Sequence, residues 1–244
     1  MDKPIIYGVP ESHPSIIVNL AIETVERNLL TFRKFKTPSV KDGIRNYDEV
    51  TKRFFRKSAY YKTLYGDSGT SELWEQLVSA IDALPIVTAI KEKSLHDINY
   101  ARSIMEEEQT LVGSIKPEIL YMEGERRSYK GIAGSVIHVA ESGGARTVYL
   151  DEDSGVYEWL STYATKYNVD FTNSQDFKDL QKKREERWIQ RIKRNLPRNK
   201  AVMIVGHDHL NRDNKDYPFL GRVPEMLERT GINFEVLNDL RKAS

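Results

Sequence analysis

Short apolar runs alternate along the chain with segments whose apolar residues recur every three or four positions. The runs are typical of buried strands, and the recurring positions are typical of helices with one buried face. The predicted strands cover residues 4–8, 119–122, 146–150, 201–205 and 232–237, and the predicted helices cover about 14–32, 71–84, 95–112, 131–141, 156–167, 177–194 and 224–229. This alternation predicts an α/β fold, in which helices cover a mainly parallel sheet.

The stretch between the first two predicted helices lacks a clean period. Residues 36–69 are rich in Lys, Arg, Tyr and Phe, and we interpret them as irregular or short-helical. We predict a single domain over residues 1–244, with a largely helical, aromatic and basic insertion at about 33–93, after the first strand and helix. A lid, a contact in a homo-oligomer and a separate docking surface are all open roles for this insertion.

Composition favours a soluble, cytoplasmic protein. The chain contains no Cys, which removes thiolate chemistry and fits a reducing compartment. Its first residues lack the basic flank and long apolar run of a signal peptide. No stretch of 18 residues is uninterruptedly apolar, so we predict no membrane span.

Positive charge is concentrated in two segments, although the net charge is +1. From Arg27 to Lys62 there are eleven Lys or Arg residues against three acidic ones, and from Phe177 to Lys200 there are ten against three. Such segments attract phosphates or acidic partners. Charged runs on helices are nevertheless common as solvated faces, so nucleic-acid binding is kept as an alternative.

Four polar clusters directly follow predicted strands, at residues 11–13, 123–127, 151–153 and 207–209. Ligands of open parallel sheets bind beyond the carboxyl ends of the strands, because loops and helix N-termini converge there. The four clusters are therefore the places where we expect chemistry.

Histidines occur in the first and last clusters. Glu11 and His13 lie between a strand and a helix start, where they can share a proton, bind a metal or simply cap the helix. His207 and His209 are two residues apart, so both rings point to one face if the segment is extended. Asp208 then faces away or orients a ring.

The second and third clusters supply charged groups. Glu123 is a candidate general base or ligand carboxylate, and Arg126 or Arg127 is a candidate for holding an oxyanion. A surface ion pair is the competing interpretation of these residues. Asp151 and Asp153 are the weakest candidates, because an acidic strand end is also a common way to begin a loop.

Five segments, in the same order, resemble a known superfamily. They are YGVPESH at 7–13, KPEILYMEGERR at 116–127, the helix, strand and Asp at 137–151, the pair Glu186-Arg187, and VGHDHL at 205–210. Together they look like the superfamily of the TraB and Tiki proteins, the ChaN haem-uptake proteins and the erythromycin esterases. The resemblance spans nearly the whole chain, except for residues 33–93.

The resemblance implies a single α/β domain in which the two histidine motifs meet in one cleft. His209 matches the family's histidine, His207 is an additional one, and Val9 and Pro10 depart from the first motif. Arg187, by the same resemblance, turns inward. Members include ester-cleaving enzymes, proteins described as metal-dependent peptidases and a haem binder, so the shared fold does not select a reaction.

We expect a hydrolase that acts on the ester or amide bond of a small molecule or peptide. His13 and His209 form the expected central pair; the candidate bases are Glu11 and Glu123, and the candidate oxyanion donors are Arg187 and Arg126. If a divalent manganese, cobalt or zinc ion takes part, its expected ligands are His13, His207, His209 and Glu123.

Two other functions are kept open. The first is a non-catalytic binder of haem or another small ligand that uses one of these histidines axially. The second is a module for nucleic acid or an acidic partner, built on the two basic segments. Steep dependence of binding on salt is the signature of the second.

Overall fold

The computed structural model describes residues 4–11, 14–35, 37–64, 66–124, 134–152, 155, 174–213, 215 and 219–237, of which 14–16, 56–64, 66–71 and 134–135 are described by their backbone alone. The chain divides into two compact units. The sheet unit comprises Met1–Ser12, Leu111–Ser128 and Ala140–Ser244, and the helical unit comprises His13–Thr110 and Tyr129–Val139.

A five-stranded parallel sheet forms the centre of the sheet unit. Its strands are β1 (Ile5–Glu11), β2 (Ile119–Met122), β3 (Arg146–Tyr149), β4 (Lys200–Gly206) and β5 (Asn233–Val236). The strand order is β3-β2-β4-β1-β5. The predicted α/β fold with a parallel sheet is therefore confirmed.

The first strand is longer than the sequence predicts, because β1 continues through Val9 and Pro10 to Glu11. Proline has no backbone N–H to donate to a neighbouring strand, and it is tolerated where no neighbouring strand requires that hydrogen bond. The carbonyl of Gly8 accepts from Leu237 on the β5 side, and Pro10, two residues later, faces the same side. Pairing with β5 ends at Gly8, so the proline costs the sheet no hydrogen bond.

The helices of the described chain are α1 (Pro14–Phe32), α2 (Pro38–Leu64), α3 (Gly66–Asp82), α4 (Thr88–Ile115), α5 (Gly134–Ser142), α6 (Gln175–Arg194), α7 (His207–Leu210) and α8 (Val223–Arg229). The irregular or short-helical structure expected at 36–69 is wrong, since α2 is a long helix. It buries Ile44, Tyr47, Val50 and Phe54 at helical spacing. The helix predicted at 156–167 lies outside the described residues.

Each unit has its own apolar core. In the helical unit, side chains of α1, α2, α3 and α4 form one cluster that includes Trp74, Leu77 and Ile98. In the sheet unit, the cluster joins strand residues such as Met203 to Trp188 of α6 and Leu227 of α8. Ser174 caps the N-terminus of α6, because its hydroxyl accepts from the N–H of Phe177.

Among the helices that the structure describes, none combines the length and the apolarity needed to cross a lipid bilayer.

Replacing Gly8 by Ala should destabilise the sheet unit. A Cβ at this position would lie 2.5 Å from Cζ of Phe234 on β5, so the ring must shift. We expect urea denaturation to show a loss of about 1–3 kcal/mol in the free energy of unfolding. The second substitution Phe234→Leu should recover part of it.

The control is Gly43→Ala in α2, where the nearest atom to an added Cβ is the carbonyl oxygen of Ala83 at 3.7 Å. That change should be neutral or stabilise the protein by about 0.5–1 kcal/mol. Equal stability of Gly8→Ala and the natural chain would contradict the close packing of β1 on Phe234.

Candidate active site

The inner face of α6 carries polar residues as well as apolar ones. Its buried side chains recur at helical spacing and are Gln181, Arg184, Glu185, Trp188, Ile189 and Ile192. The last three anchor the helix in the core, and the same stripe continues towards the N-terminus of α6 as charged residues. These charges lie at the carboxyl end of the sheet, where ligands of parallel sheets bind.

Arg184 is the centre of a buried ion-pair network. Its Nη2 lies 2.8 Å from Oε1 of Glu123, which directly follows β2. The same guanidinium donates from Nε to Oδ1 of Asp151 at 2.9 Å and from Nη2 to Oδ2 at 2.5 Å. Charged hydrogen bonds of this geometry are the strong ones. The network therefore joins α6 to the ends of two neighbouring strands.

Asp151 accepts two further hydrogen bonds. The indole Nε1 of Trp188 donates to Oδ1 at 2.7 Å, and the amide of Gly124 donates to Oδ2 at 2.9 Å. Gly124 has a φ of 98°, a left-handed conformation that glycine adopts without strain. The turn after β2 can therefore present its N–H to the carboxylate.

Glu123 is held from two sides. Its Oε1 faces Arg184, and its Oε2 accepts the amide N–H of Gly206, the last residue of β4, at 2.6 Å. The backbone N–H of Glu123 in turn donates to the carbonyl of Ile204 at 3.0 Å. This carboxylate is fixed at the end of the central strand.

His209 is buried in the short helix α7 that directly follows β4. Its Nδ1 lies 2.9 Å from Oε1 of Glu185, which is fully buried. The ring packs against Trp188 with centroids 4.7 Å apart. Its Nε2 is 3.8 Å from Oε1 of Glu123, which is too far for a hydrogen bond. Glu185 and Trp188 thus fix the ring, and Nε2 is the nitrogen left for chemistry.

Glu11 ends β1 opposite Gly206 of β4. Burial, and next the negative charge of Glu123, raise the pKa of Glu11 from 4.5 to about 7. Glu11 is therefore a carboxyl group that carries its proton over much of the range below neutral pH. The end of β4 consequently lies between one fixed carboxylate, Glu123, and one carboxyl group that titrates near neutrality.

Two expectations from the sequence are wrong. The segment at His207 and His209 is helical rather than extended, so His207 is exposed while His209 is buried. Arg187 does not turn inward but is exposed. The buried arginine is Arg184, three residues earlier, which belongs to a run that we interpreted as a solvated face.

His13, Arg126 and Arg127 lie outside the described residues, so the predicted meeting of His13 with His209 stays a prediction. Among the described residues, no group of three or more His, Asp or Glu side chains is placed to hold a metal ion. Glu123 already uses both oxygens, and His209 uses Nδ1. The metal site predicted at His13, His207, His209 and Glu123 stays a prediction, because His13 lies outside the described residues.

Arg184, Glu185 and Trp188 were not among the site residues predicted from the sequence, and Asp151 was the weakest candidate. A signal for the first three was present. Trp188, Ile189 and Ile192 mark the buried stripe of α6, and counting back three and four residues from Trp188 gives Glu185 and Arg184. Asp151 had a signal of another kind, its place directly after the predicted strand at 146–150, but its rank could not be raised from the sequence because its partners come from distant segments.

Comparison with protein-family models, with curated proteins and with solved structures returned no match to this chain. The resemblance to the TraB, ChaN and erythromycin-esterase superfamily therefore stays a prediction. The function of the chain is accordingly inferred from the geometry of its site.

Replacing Arg184 by Met should destabilise the protein strongly. It would leave the Glu123 and Asp151 carboxylates buried without their cation, and removal of one partner from such a network costs about 3–5 kcal/mol. The free energy of unfolding in urea measures this effect. The exposed neighbour Lys182 provides the control, since Lys182→Met should change stability by less than about 0.5 kcal/mol. Similar values for the two variants would show that the network contributes little.

Glu11 should make stability fall as pH rises. Its folded pKa of about 7 exceeds the ordinary value of 4.5. Its contribution is therefore complete below pH 4.5 and is lost as the pH rises through 7. The loss amounts to about 3 kcal/mol. The isosteric variant Glu11→Gln should flatten this decline in urea titrations between pH 4.5 and 7.5, whereas Glu235→Gln, at an exposed position, should not. An unchanged slope in Glu11→Gln would disprove the assignment.

Proposed function

We propose that this protein is a hydrolase that cleaves an ester or amide bond by general acid and base catalysis at the carboxyl end of the sheet. The observation that carries the proposal is the buried contact of 2.9 Å between Glu185 and Nδ1 of His209. An acceptor at Nδ1 favours the tautomer whose Nε2 is free to take a proton.

In the proposed reaction, Nε2 of His209 removes a proton from water, and the water oxygen attacks the substrate carbonyl. The carboxylate of Glu185 stabilises the positive charge that the ring acquires, as the acidic member of a catalytic triad does. Trp188 keeps the ring from rotating. Positioned bases of this kind contribute a factor of about 10²–10⁴ in rate.

Glu11 is the proposed acid. Its raised pKa keeps it protonated up to about pH 7, so it can give its proton to the leaving alkoxide or amine. The imidazolium of His209 then passes the proton that it took from water to Glu11, which restores both groups. Two ionisable groups in different environments thus take opposite roles, which is a common feature of hydrolytic sites.

Glu123 has a different proposed role from the one the sequence suggested. With Oε1 on Arg184 and Oε2 on the Gly206 amide, it positions the end of β4 and adds to the pKa shift of Glu11 rather than acting as a base. Arg184 is similarly committed to its carboxylates. Arg126 and Arg127 therefore remain the candidates for the oxyanion among the arginines named from the sequence.

The geometry gives less support to haem binding at His209. Nδ1 is used by Glu185, and the carboxylate of Glu123 lies 3.8 Å from Nε2, where the iron would have to approach. Hydrolysis is therefore the function that we propose.

Turnover of p-nitrophenyl acetate, p-nitrophenyl butyrate and an aminoacyl p-nitroanilide tests the proposal. His209→Gln should lower kcat/KM at least about 100-fold, whereas His207→Gln, in the same short helix but exposed, should leave it unchanged. Glu11→Gln should lower kcat and abolish the fall in rate above about pH 7 that ionisation of Glu11 causes. Thermal melting confirms that the variants are folded.

Absence of turnover on all three substrates, or equal rates for the natural chain and His209→Gln, would count against the proposal. An equal loss in both histidine variants would instead favour the metal-binding role predicted for His207 and His209 from the sequence.

A further inference from the structure

The outer face of α6 borders a groove that is separate from the acid and base groups of the inner face. The groove lies between α6 and α8 and has a volume of about 540 Å³. Its charged lining consists of Lys183, Glu186, Arg187, Lys193, Arg222 and Arg229. Five cations therefore face one carboxylate within a single open groove.

Part of this positive charge is not neutralised within the described part of the chain. Arg229 pairs with Glu225. Within the described part of the chain, the side chains of Lys183, Lys193 and Arg222 make no ion pair or hydrogen bond. A cluster of cations raises the local concentration of anions and speeds their association with the protein. The groove is thus suited to a ligand with several negative charges.

We propose that the groove between α6 and α8 binds the phosphodiester backbone of a nucleic acid without reading its sequence. Lys183 and Lys193 are ten positions apart on α6, which is about 15 Å along the helix. One strand of a duplex presents a phosphate about every 3.4 Å along its axis. On a duplex whose axis runs along α6, the length from Lys183 to Lys193 therefore corresponds to about four phosphates of one strand.

Other anionic partners fit the groove less well. A single phosphate on a peptide needs donors that converge on one point, whereas these cations are spread along the helix. A lipid surface is favoured by exposed apolar side chains that insert between the headgroups, and the apolar residues of this lining, Ile189 and Met226, are buried and half-buried. Among the described residues, the lining contains no aromatic ring on which a base can stack, so contact with the backbone is the expected mode.

Fluorescence anisotropy with a fluorescein-labelled 20-base-pair DNA duplex of mixed sequence, and with a single-stranded RNA of equal length, tests the proposal. The groove variant K183E/K193E/R222E should weaken binding to both probes more than tenfold at 100 mM salt. It should also reduce the slope of log K against log salt by about 3, because each lost phosphate contact removes about 1.

The control variant K182E/R194E/R198E changes the net charge by the same amount at three exposed positions outside the groove lining. It should weaken binding less than threefold. Equal losses in the two variants would overturn the proposal, and so would absence of binding to both probes. Binding confined to anionic vesicles or to a phosphopeptide would also overturn it. Rates on the p-nitrophenyl esters are measured for the same variants, so the two proposals can fail separately.

Discussion

The arrangement of the site depends on one buried cation. An arginine away from water is tolerated when carboxylates satisfy its charge and its donors, and otherwise costs several kcal/mol. Arg184 meets this condition through Glu123 after β2 and Asp151 after β3. Because both partners end strands of the same sheet, the guanidinium determines how α6 lies against that edge. The positions of Trp188 and Glu185, and through them the ring of His209, depend on it.

The same network places two neighbouring carboxyl groups in different electrostatic environments. Glu123 pairs with Arg184 and the Gly206 amide, whereas Glu11 is desolvated and feels the charge of Glu123. One carboxylate thus raises the proton affinity of another across the end of β4. This difference between the groups supports the assignment of Glu11 as an acid and His209 as a base, with Glu123 as the fixed charge between strands.

How far the sequence predicted this structure depended on the kind of signal. Apolar runs such as 119–122 and 201–205 identified the strands, because a strand buried on both faces has few polar residues. Glu11, Glu123, Asp151 and His209 were named because they lie shortly after predicted strands, although Asp151 was ranked last. Arg184 and Glu185 were missed, since a charged run predicts a solvated face unless its partners are known. The length of α2 was missed for a related reason: four buried residues are dispersed among many charges.

The order of the strands also has a consequence for the time course of folding. The central pair joins β1, at residues 5–11, to β4, at residues 200–206, so nearly the whole chain must be synthesised before this ladder can close. Contacts of such long sequence separation form slowly. The helical unit, where α2 contacts the next helix α3, relies on much more local pairing. On the ribosome the helical unit is therefore expected to fold first. The apolar residues of β1 stay exposed until β4 has been synthesised, and we expect chaperones to bind this segment.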